Sequence, residues 1–186
     1  NPITVYPVEF AKSKSKIGFV NMRGCRLSDV PEEAFEGENV KYLMSLDFSY
    51  NDLNDLPSSF NAVNMPYFYG LELSYNEFSK FPFEPLDCYG LTVFAIRGQR
   101  NKNGDRCLSE WPTGIYQHVG LRGFYIGSNN LGMINDTISP LCYYLEISDN
   151  PDIVFDASGV CYEYSIGAYY LIYDKTQDVR GCELML

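Results

Sequence analysis

Histidine is nearly missing from this chain: its 186 residues contain one, His118, in the stretch IYQHVG. Hydrolysis by a serine or cysteine needs a nucleophile, a base and an orienting group gathered in space. A lone imidazole between periodic segments reads instead as a surface or partly packed residue, and pairing it with Cys107 finds no local signature. The Gly-x-Ser-x-Gly, Gly-x-Gly-x-x-Gly and P-loop patterns are missing too, so acyl-transfer and nucleotide sites lack their marks. No Cys-x-x-Cys pair occurs, which disfavours zinc ribbons and thioredoxin-type exchange. Basic residues are scarce, 14 Lys and Arg against 24 Asp and Glu, for a net charge of −10. That field repels phosphate backbones and anionic membrane surfaces, so no nucleic-acid partner is expected. No uncharged apolar run approaches the roughly 18–20 residues that span a bilayer, so no transmembrane segment is expected in this chain. A secretory signal is not visible at Asn1–Phe10, which leaves either a cytosolic chain or a piece of a longer exported one.

What is present is apolar and aromatic. Hydrophobic residues are 46% of the chain and aromatics 16%, with 16 Tyr and 12 Phe, which excludes a disordered chain. The length fits one domain. Six cysteines (Cys25, Cys88, Cys107, Cys142, Cys161 and Cys182) allow several disulfide pairings that sequence does not choose among, and most are read as buried structural thiols. Asp149, Asn150, Asp152 and Asp156 lie close together but do not match the spacing of a calcium loop, so no metal and no cofactor is expected. Asn135-Asp136-Thr137 is a glycosylation sequon, relevant only in a eukaryotic secretory route.

The organising signal is an internal repeat. LDFSYNDLNDLP from Leu46, LELSYNEFSKFP from Leu71 and VNMRGCRLSDVP from Val20 align, and weaker copies begin at Phe94, Phe124 and Leu145. The first apolar positions, 20, 46, 71, 94, 124 and 145, are spaced by 26, 25, 23, 30 and 21 residues. Five residues after each stand Cys25, Asn51, Asn76, Gln99, Asn129 and Asn150. The pattern resembles the leucine-rich repeat, whose units run about 20–29 residues with L-x-L-x-x-(N/C)-x-L at their heart. It covers Val20 to Phe155 clearly. In its tyrosine-heavy, acidic, loosely regular style the chain also resembles surface and secreted leucine-rich-repeat domains of gut Bacteroidetes, which implies an extracellular or cell-surface location.

The physics of the pattern stands beside the name. Alternating apolar pairs such as Leu46/Phe48, Leu71/Leu73 and Phe94/Ile96 have the period of a strand with one buried face. One such strand cannot bury that face alone, so copies must stack into a parallel sheet. The inward turn after each strand buries peptide groups, and an Asn there supplies two donors and an acceptor for them. Cys25, Asn51, Asn76, Gln99, Asn129 and Asn150 are therefore expected to form a structural ladder. Gln99 carries an extra methylene in the repeat with the longest spacing, which raises a local distortion there. Pro31, Pro57, Pro82 and Pro112 open the return segments, which are expected to be short 3₁₀ or irregular pieces with Phe35, Phe60, Leu86 and Ile115 as core plugs.

The expected fold is thus an α/β solenoid, a leucine-rich-repeat horseshoe with a parallel concave sheet and atypical caps. Residues 1–18 would form an N-terminal cap, with Ile3, Val5 and Phe10 on a cap strand. Residues 19–156 would hold about six repeats, and 157–186 a C-terminal repeat or cap whose tyrosine-rich run places Leu171 a further 26 residues beyond Leu145. With Leu46 and Phe48 inward, one solvent-side column reads Asn21, Asp47, Glu72, Ala95, Tyr125 and Glu146, and the next reads Arg23, Ser49, Ser74, Arg97, Gly127 and Ser148. Tyr, Arg and carboxylates are the residue types of binding hot spots. Asp47, Tyr50, Glu72, Tyr75, Arg97, Tyr125 and Glu146 are therefore the candidate contacts. Arg100, Lys102 and Arg106 join them on an insertion between Gln99 and Leu108, read as a basic finger that contacts a partner or closes onto Asp47 and Glu72. The expected function is non-catalytic binding of a protein. Glycan binding, with tyrosines stacked on sugar rings, is the alternative, as is substrate docking for a larger enzyme.

Overall fold

Seven short strands stack in parallel in the computed structural model, which describes residues 3–134, 142–156 and 170–180. They are β1 (Phe19–Asn21), β2 (Ser45–Asp47), β3 (Gly70–Glu72), β4 (Val93–Ala95), β5 (Gly123–Tyr125), β7 (Tyr144–Glu146) and β9 (Tyr170–Ile172), in that spatial order. The register is unbroken: Val20, Leu46, Leu71, Phe94, Phe124, Leu145 and Leu171 lie side by side. Their neighbours two residues on, Phe48, Leu73, Ile96, Ile126 and Ile147, are fully buried. The chain folds as a leucine-rich-repeat solenoid, with a parallel sheet along one side and little helix.

Opposite the sheet, the first return segment carries 3₁₀ turns at Glu32–Phe35 and Val40–Tyr42, the third at Glu84–Asp87 and the fourth at Ile115–Gln117. Phe35, Phe60 and Ile115 are buried plugs, and Phe35, Phe60 and Phe68 meet edge to face at 4.9 and 5.1 Å. Leu86 departs from the expectation and is only partly buried. The later return segments depart further. β6 (Met133–Ile134), β8 (Val154–Asp156) and β10 (Asp178–Arg180) form a second parallel sheet where irregular backbone was expected. Proline explains the change. Pro31, Pro57 and Pro82 stand six residues past their rungs and cannot donate to a ladder, whereas at that place Asn135 follows β6 and Asp156 is the last residue of β8.

The N-terminal cap also differs from expectation. A one-turn helix, α1 (Glu9–Lys12), and a single bridge between Val5 and Asp29 replace a cap strand. Tyr6 and Ala11 fill the core there, while Ile3, Val5 and Phe10 are exposed. Of the tyrosine-rich run near the C terminus, residues 162–169 lie outside the described residues.

The hydrogen bonds at the turns show what a buried amide does. Asn76 donates to the carbonyls of Phe48 and Leu73 and accepts from the Leu53 amide at 3.0 Å. Asn51 donates to Met22 and Phe48, and its single oxygen accepts from both Cys25 and Leu27 at 2.9 Å. Asn129 and Asn150 repeat the pattern. Gln99 is accommodated without a break: its extra methylene moves the second donated bond from residue i−3 to Arg97 at i−2, and Asn129 takes the Ile96 carbonyl left over. Gln177, not singled out by the sequence pattern, closes the series by donating to Ile147 and Asn150 and accepting from Asp174.

Each turn also contains a left-handed residue. Gly24, Tyr50, Tyr75, Gly98, Ser128 and Asp149 all have φ between +53° and +67°, and each immediately precedes a rung. For a non-glycine residue this conformation costs about 1–2 kcal/mol. It is held because the amides of Gly24, Tyr50, Tyr75, Gly98 and Ser128 still donate to the next strand, to Ser49, Ser74, Arg97, Gly127 and Ser148.

Candidate interaction surface

Strand register brings Asn21, Asp47, Glu72, Ala95, Tyr125, Glu146 and Ile172 into one row across the inner face. Asp47 is tied down at both oxygens: one accepts from the backbone amide and hydroxyl of Ser49, the other from Asn21. Glu72 likewise accepts from the Ser74 amide at 2.8 Å. These carboxylates point out of the sheet in fixed orientations, since each is held by a peptide group two residues on.

Arg97 occupies the space above small Ala95. Its Nε donates to Glu146 at 2.8 Å, an Nη atom lies 4.0 Å from Glu72, and the guanidinium sits 4.4 Å over the Tyr125 ring. Two carboxylates thus share one cation, and the trio keeps a net negative charge. Glu146 is only 7% exposed, against the open position expected from its column. It also accepts from the Ser148 hydroxyl and the Gly127 amide, and a Cβ on Gly127 would overlap its carboxylate. Ser49, Ser74 and Gly127 are buried beneath this layer as well, so in the second column only the long side chains of Arg23 and Arg97 rise to the surface among these five.

Tyr50 and Tyr75 form a tower at the edge of the sheet. Their rings stack at 4.4 Å and 27°, Arg23 covers the outer face of Tyr50 at 4.1 Å, and Gly98 lies under Tyr75 so closely that a Cβ there would come within 2.6 Å of the ring. Burial, then the neighbouring Tyr50, holds the Tyr75 hydroxyl above its usual pKa. The left-handed backbone sets this geometry, because it turns both side chains out along the sheet edge. Sequence reasoning placed these tyrosines near the strand ends but could not see that both ring faces are covered.

The insertion does not close onto Asp47 and Glu72. It is ordered, with Arg100 bridged to Arg106, Gly104 left-handed, and Asn101 accepting from the amides of Asn103 and Asp105. Arg100 donates to Ser128, while Arg106 donates to the carbonyls of Asn129 and Asp149 and pairs with the Asp149 carboxylate at 2.6 Å. The Arg106 hydrogen bond is the main reason that Asp149 titrates below its ordinary value. The carbonyls at the next two turns are nearer and need donors, so both arginines are used within the molecule. Lys102 stands exposed at the tip, with no ion pair among the described residues.

His118 is buried, more deeply than the surface or partly packed position expected, and its Nε2 lies 3.1 Å from the Cys88 carbonyl. The Cys107 thiol donates to Phe78, so the two groups are engaged separately. Burial pushes Cys88 up to about 12 and Cys142 up to about 11. Cys25, Cys88, Cys107 and Cys142 are free thiols, while Cys161, Cys182 and the sequon at Asn135 lie outside the described residues. Among the described residues no group of His, Cys, Asp and Glu is arranged to hold a metal, and no helix is long and apolar enough to cross a membrane.

Two solved structures are similar over nearly the whole chain. A leucine-rich repeat protein from Bacteroides thetaiotaomicron superposes with a TM-score of 0.92 at 38% identity, over 98% of this chain and 22% of its own length. One from Bacteroides eggerthii does so with a TM-score of 0.89 at 41% identity, over 97% of this chain and 30% of its own. This chain therefore spans less than a third of either relative. No family model and no curated protein matches it.

Proposed function

We propose that this leucine-rich-repeat solenoid, similar to Bacteroides proteins of the same architecture, is a non-catalytic module that binds another protein through its concave face. The observation that carries the reading is the preorganised acidic row, Asp47 and Glu72 beside the Arg97–Glu146 pair. Oriented carboxylates favour a cationic patch and speed its approach more than they add raw affinity. Tyr50 and Tyr75 present ring edges and hydroxyls from a rigid stack, which suits contact with a partner at low entropic cost. The glycan alternative loses support on this face, because stacking on a sugar needs a free ring face. Both faces of Tyr50 and of Tyr75 are taken by Arg23, each other and Gly98, and Tyr125 lies between Arg97 and Gly123. An extracellular or cell-surface setting fits the resemblance, and docking for a larger protein fits the short span of the relatives covered.

The test is Asp47→Asn with Glu72→Gln, changes that keep shape and remove charge. Pull-down from the source organism, followed by surface plasmon resonance, should show slower association with the captured protein. The difference should shrink as salt rises above about 0.15 M, where the screening length is roughly 8 Å. Equal association rates at low salt would refute an electrostatic role for the row.

A further inference from the structure

The row of the concave sheet that precedes the acidic one is apolar and open. Phe19, Ser45, Gly70, Val93, Gly123 and Tyr144 lie side by side, each two residues ahead of its counterpart in the row that holds Asp47 and Glu72. A two-residue step returns to the same face of a strand, so both rows line the concave side. Phe19, Val93 and Tyr144 stand out from it, with Met44 and Tyr69 at the entries to β2 and β3, all between 37% and 64% exposed. The core is complete behind them, where Leu46, Leu71, Phe94, Phe124 and Leu145 are buried, so internal packing does not account for apolar groups on the front. Apolar side chains gathered in this way mark contact surfaces, unlike single scattered ones.

The strip has one hollow. Between Phe19 on β1 and Val93 on β4 the row holds only Ser45 and Gly70. A Cβ on Gly70 would meet nothing within 4 Å except the Ser45 side chain, at 3.4 Å. The matching place at Gly123 is closed, because the Tyr125 ring comes within 3.0 Å of where a Cβ would stand. The hollow opens directly onto the carboxylates of the same two strands, Asp47 and Glu72, about 6.6 Å further along. Asp47 has no ion pair among the described residues, and Glu72 only an Arg97 contact at 4.0 Å that it shares with Glu146. An occupant therefore presents an apolar side chain and, one step on, a cation. Residues four apart on a helix advance about 6 Å and share a face, which matches that step. An extended segment has a similar spacing, but its peptide groups would lie unpaired here, since β2 and β3 are bonded on both sides. A helix satisfies its own. The net charge of −10 disfavours a second copy of this chain as the occupant.

We infer, on the premise that the concave face is the binding face, that this hollow receives an amphipathic helix of the partner. An apolar side chain enters over Ser45 and Gly70 between Phe19 and Val93, and a Lys or Arg three or four residues on reaches Asp47 and Glu72. The probe is a synthetic helix with a leucine stripe flanked by lysines, titrated into ¹⁵N-labelled protein with affinity measured by calorimetry. The amides of Ser45 and Gly70 should shift, and Phe19→Ala should weaken binding about tenfold, the scale of a truncated anchor. Gly70→Val fills the hollow while keeping a residue that suits a strand, so circular dichroism should be unchanged and affinity should fall about tenfold. A central proline in the peptide, which breaks a helix, should weaken it as much. Shifts that miss Ser45 and Gly70, affinity within twofold in both variants, or equal binding of the proline peptide would each overturn the inference. So would a dimer of the protein alone that Gly70→Val dissociates in sedimentation velocity, which gives the hollow to a second copy. Slower association of a captured protein with Asp47→Asn and Glu72→Gln, alongside indifference to Gly70→Val, would remove the helix and leave the acidic row standing.

Discussion

Removing the amide from a rung should destabilise the solenoid in proportion to the peptide N–H groups it strands, and Asn51 and Asn76 make a controlled pair. The Asn76 oxygen accepts one buried amide, from Leu53, whereas the Asn51 oxygen accepts two, from Cys25 and Leu27. An unsatisfied buried donor costs about 1–3 kcal/mol. Asn76→Ala should therefore lose about 1–3 kcal/mol, and Asn51→Ala at least about 1 kcal/mol more. Asn21, exposed and bonded only at the side-chain level and to Arg23, is the control, with a change within about 0.5 kcal/mol. Set against a typical total of about 5–15 kcal/mol, the Asn51 loss is large enough to read. Guanidinium denaturation followed by circular dichroism measures all three, with an unchanged m-value as the sign that the transition is still cooperative. Equal losses for the two rungs, or losses no larger than the control, would refute the idea that stranded N–H groups set the cost.

Arg106→Ala should destabilise the protein by about 1–3 kcal/mol, the range for charged donors, while Lys102→Ala should be neutral in the same melts. Asp149 has a lowered folded pKa, so the stability from its pairing is present above its ordinary value of 3.8 and disappears as pH falls through the folded value. Wild type should lose more stability than Asp149→Asn between about pH 5 and pH 2, the window of a salt-bridged carboxylate. Native alkylation mapped by mass spectrometry should spare Cys88 and Cys142, whose raised pKa values keep them as buried thiols, until denaturant is added. Gly127→Ala should displace Glu146 and weaken partner binding through Arg97, read as slower association with little change in fold content by circular dichroism.

The strand phase was legible because a two-residue period reports directly on which side is buried, and a five-residue offset to Asn, Cys or Gln recurs in every copy. The solenoid followed from these alone. The second sheet was less legible, since β6 and β8 are marked only by the loss of a proline at one position. The left-handed column was hidden: Gly24 and Gly98 hint at it, but Tyr50, Tyr75, Ser128 and Asp149 occupy the same conformation, and no residue preference exposes it. On the surface, sequence assigned Arg100 and Arg106 to a partner or to Asp47 and Glu72, because the groups they pair with belong to turns 23–43 residues away. Local patterns carry no information about such partners.

The pairing of a second sheet behind the first has a geometric consequence. Adjacent strands in any sheet are about 4.8 Å apart. Where β6, β8 and β10 run behind the main sheet, inner and outer arcs advance by the same step per repeat, and the superhelix has no wedge with which to bend. In the first four repeats the outer arc is built of turns and apolar plugs that have no such fixed spacing, so that constraint is absent there. Along the inner surface, Asp47, Tyr50, Glu72 and Tyr75 therefore stand in the part without this constraint, and Tyr125 and Glu146 in the part where both arcs are spaced by strand pairing.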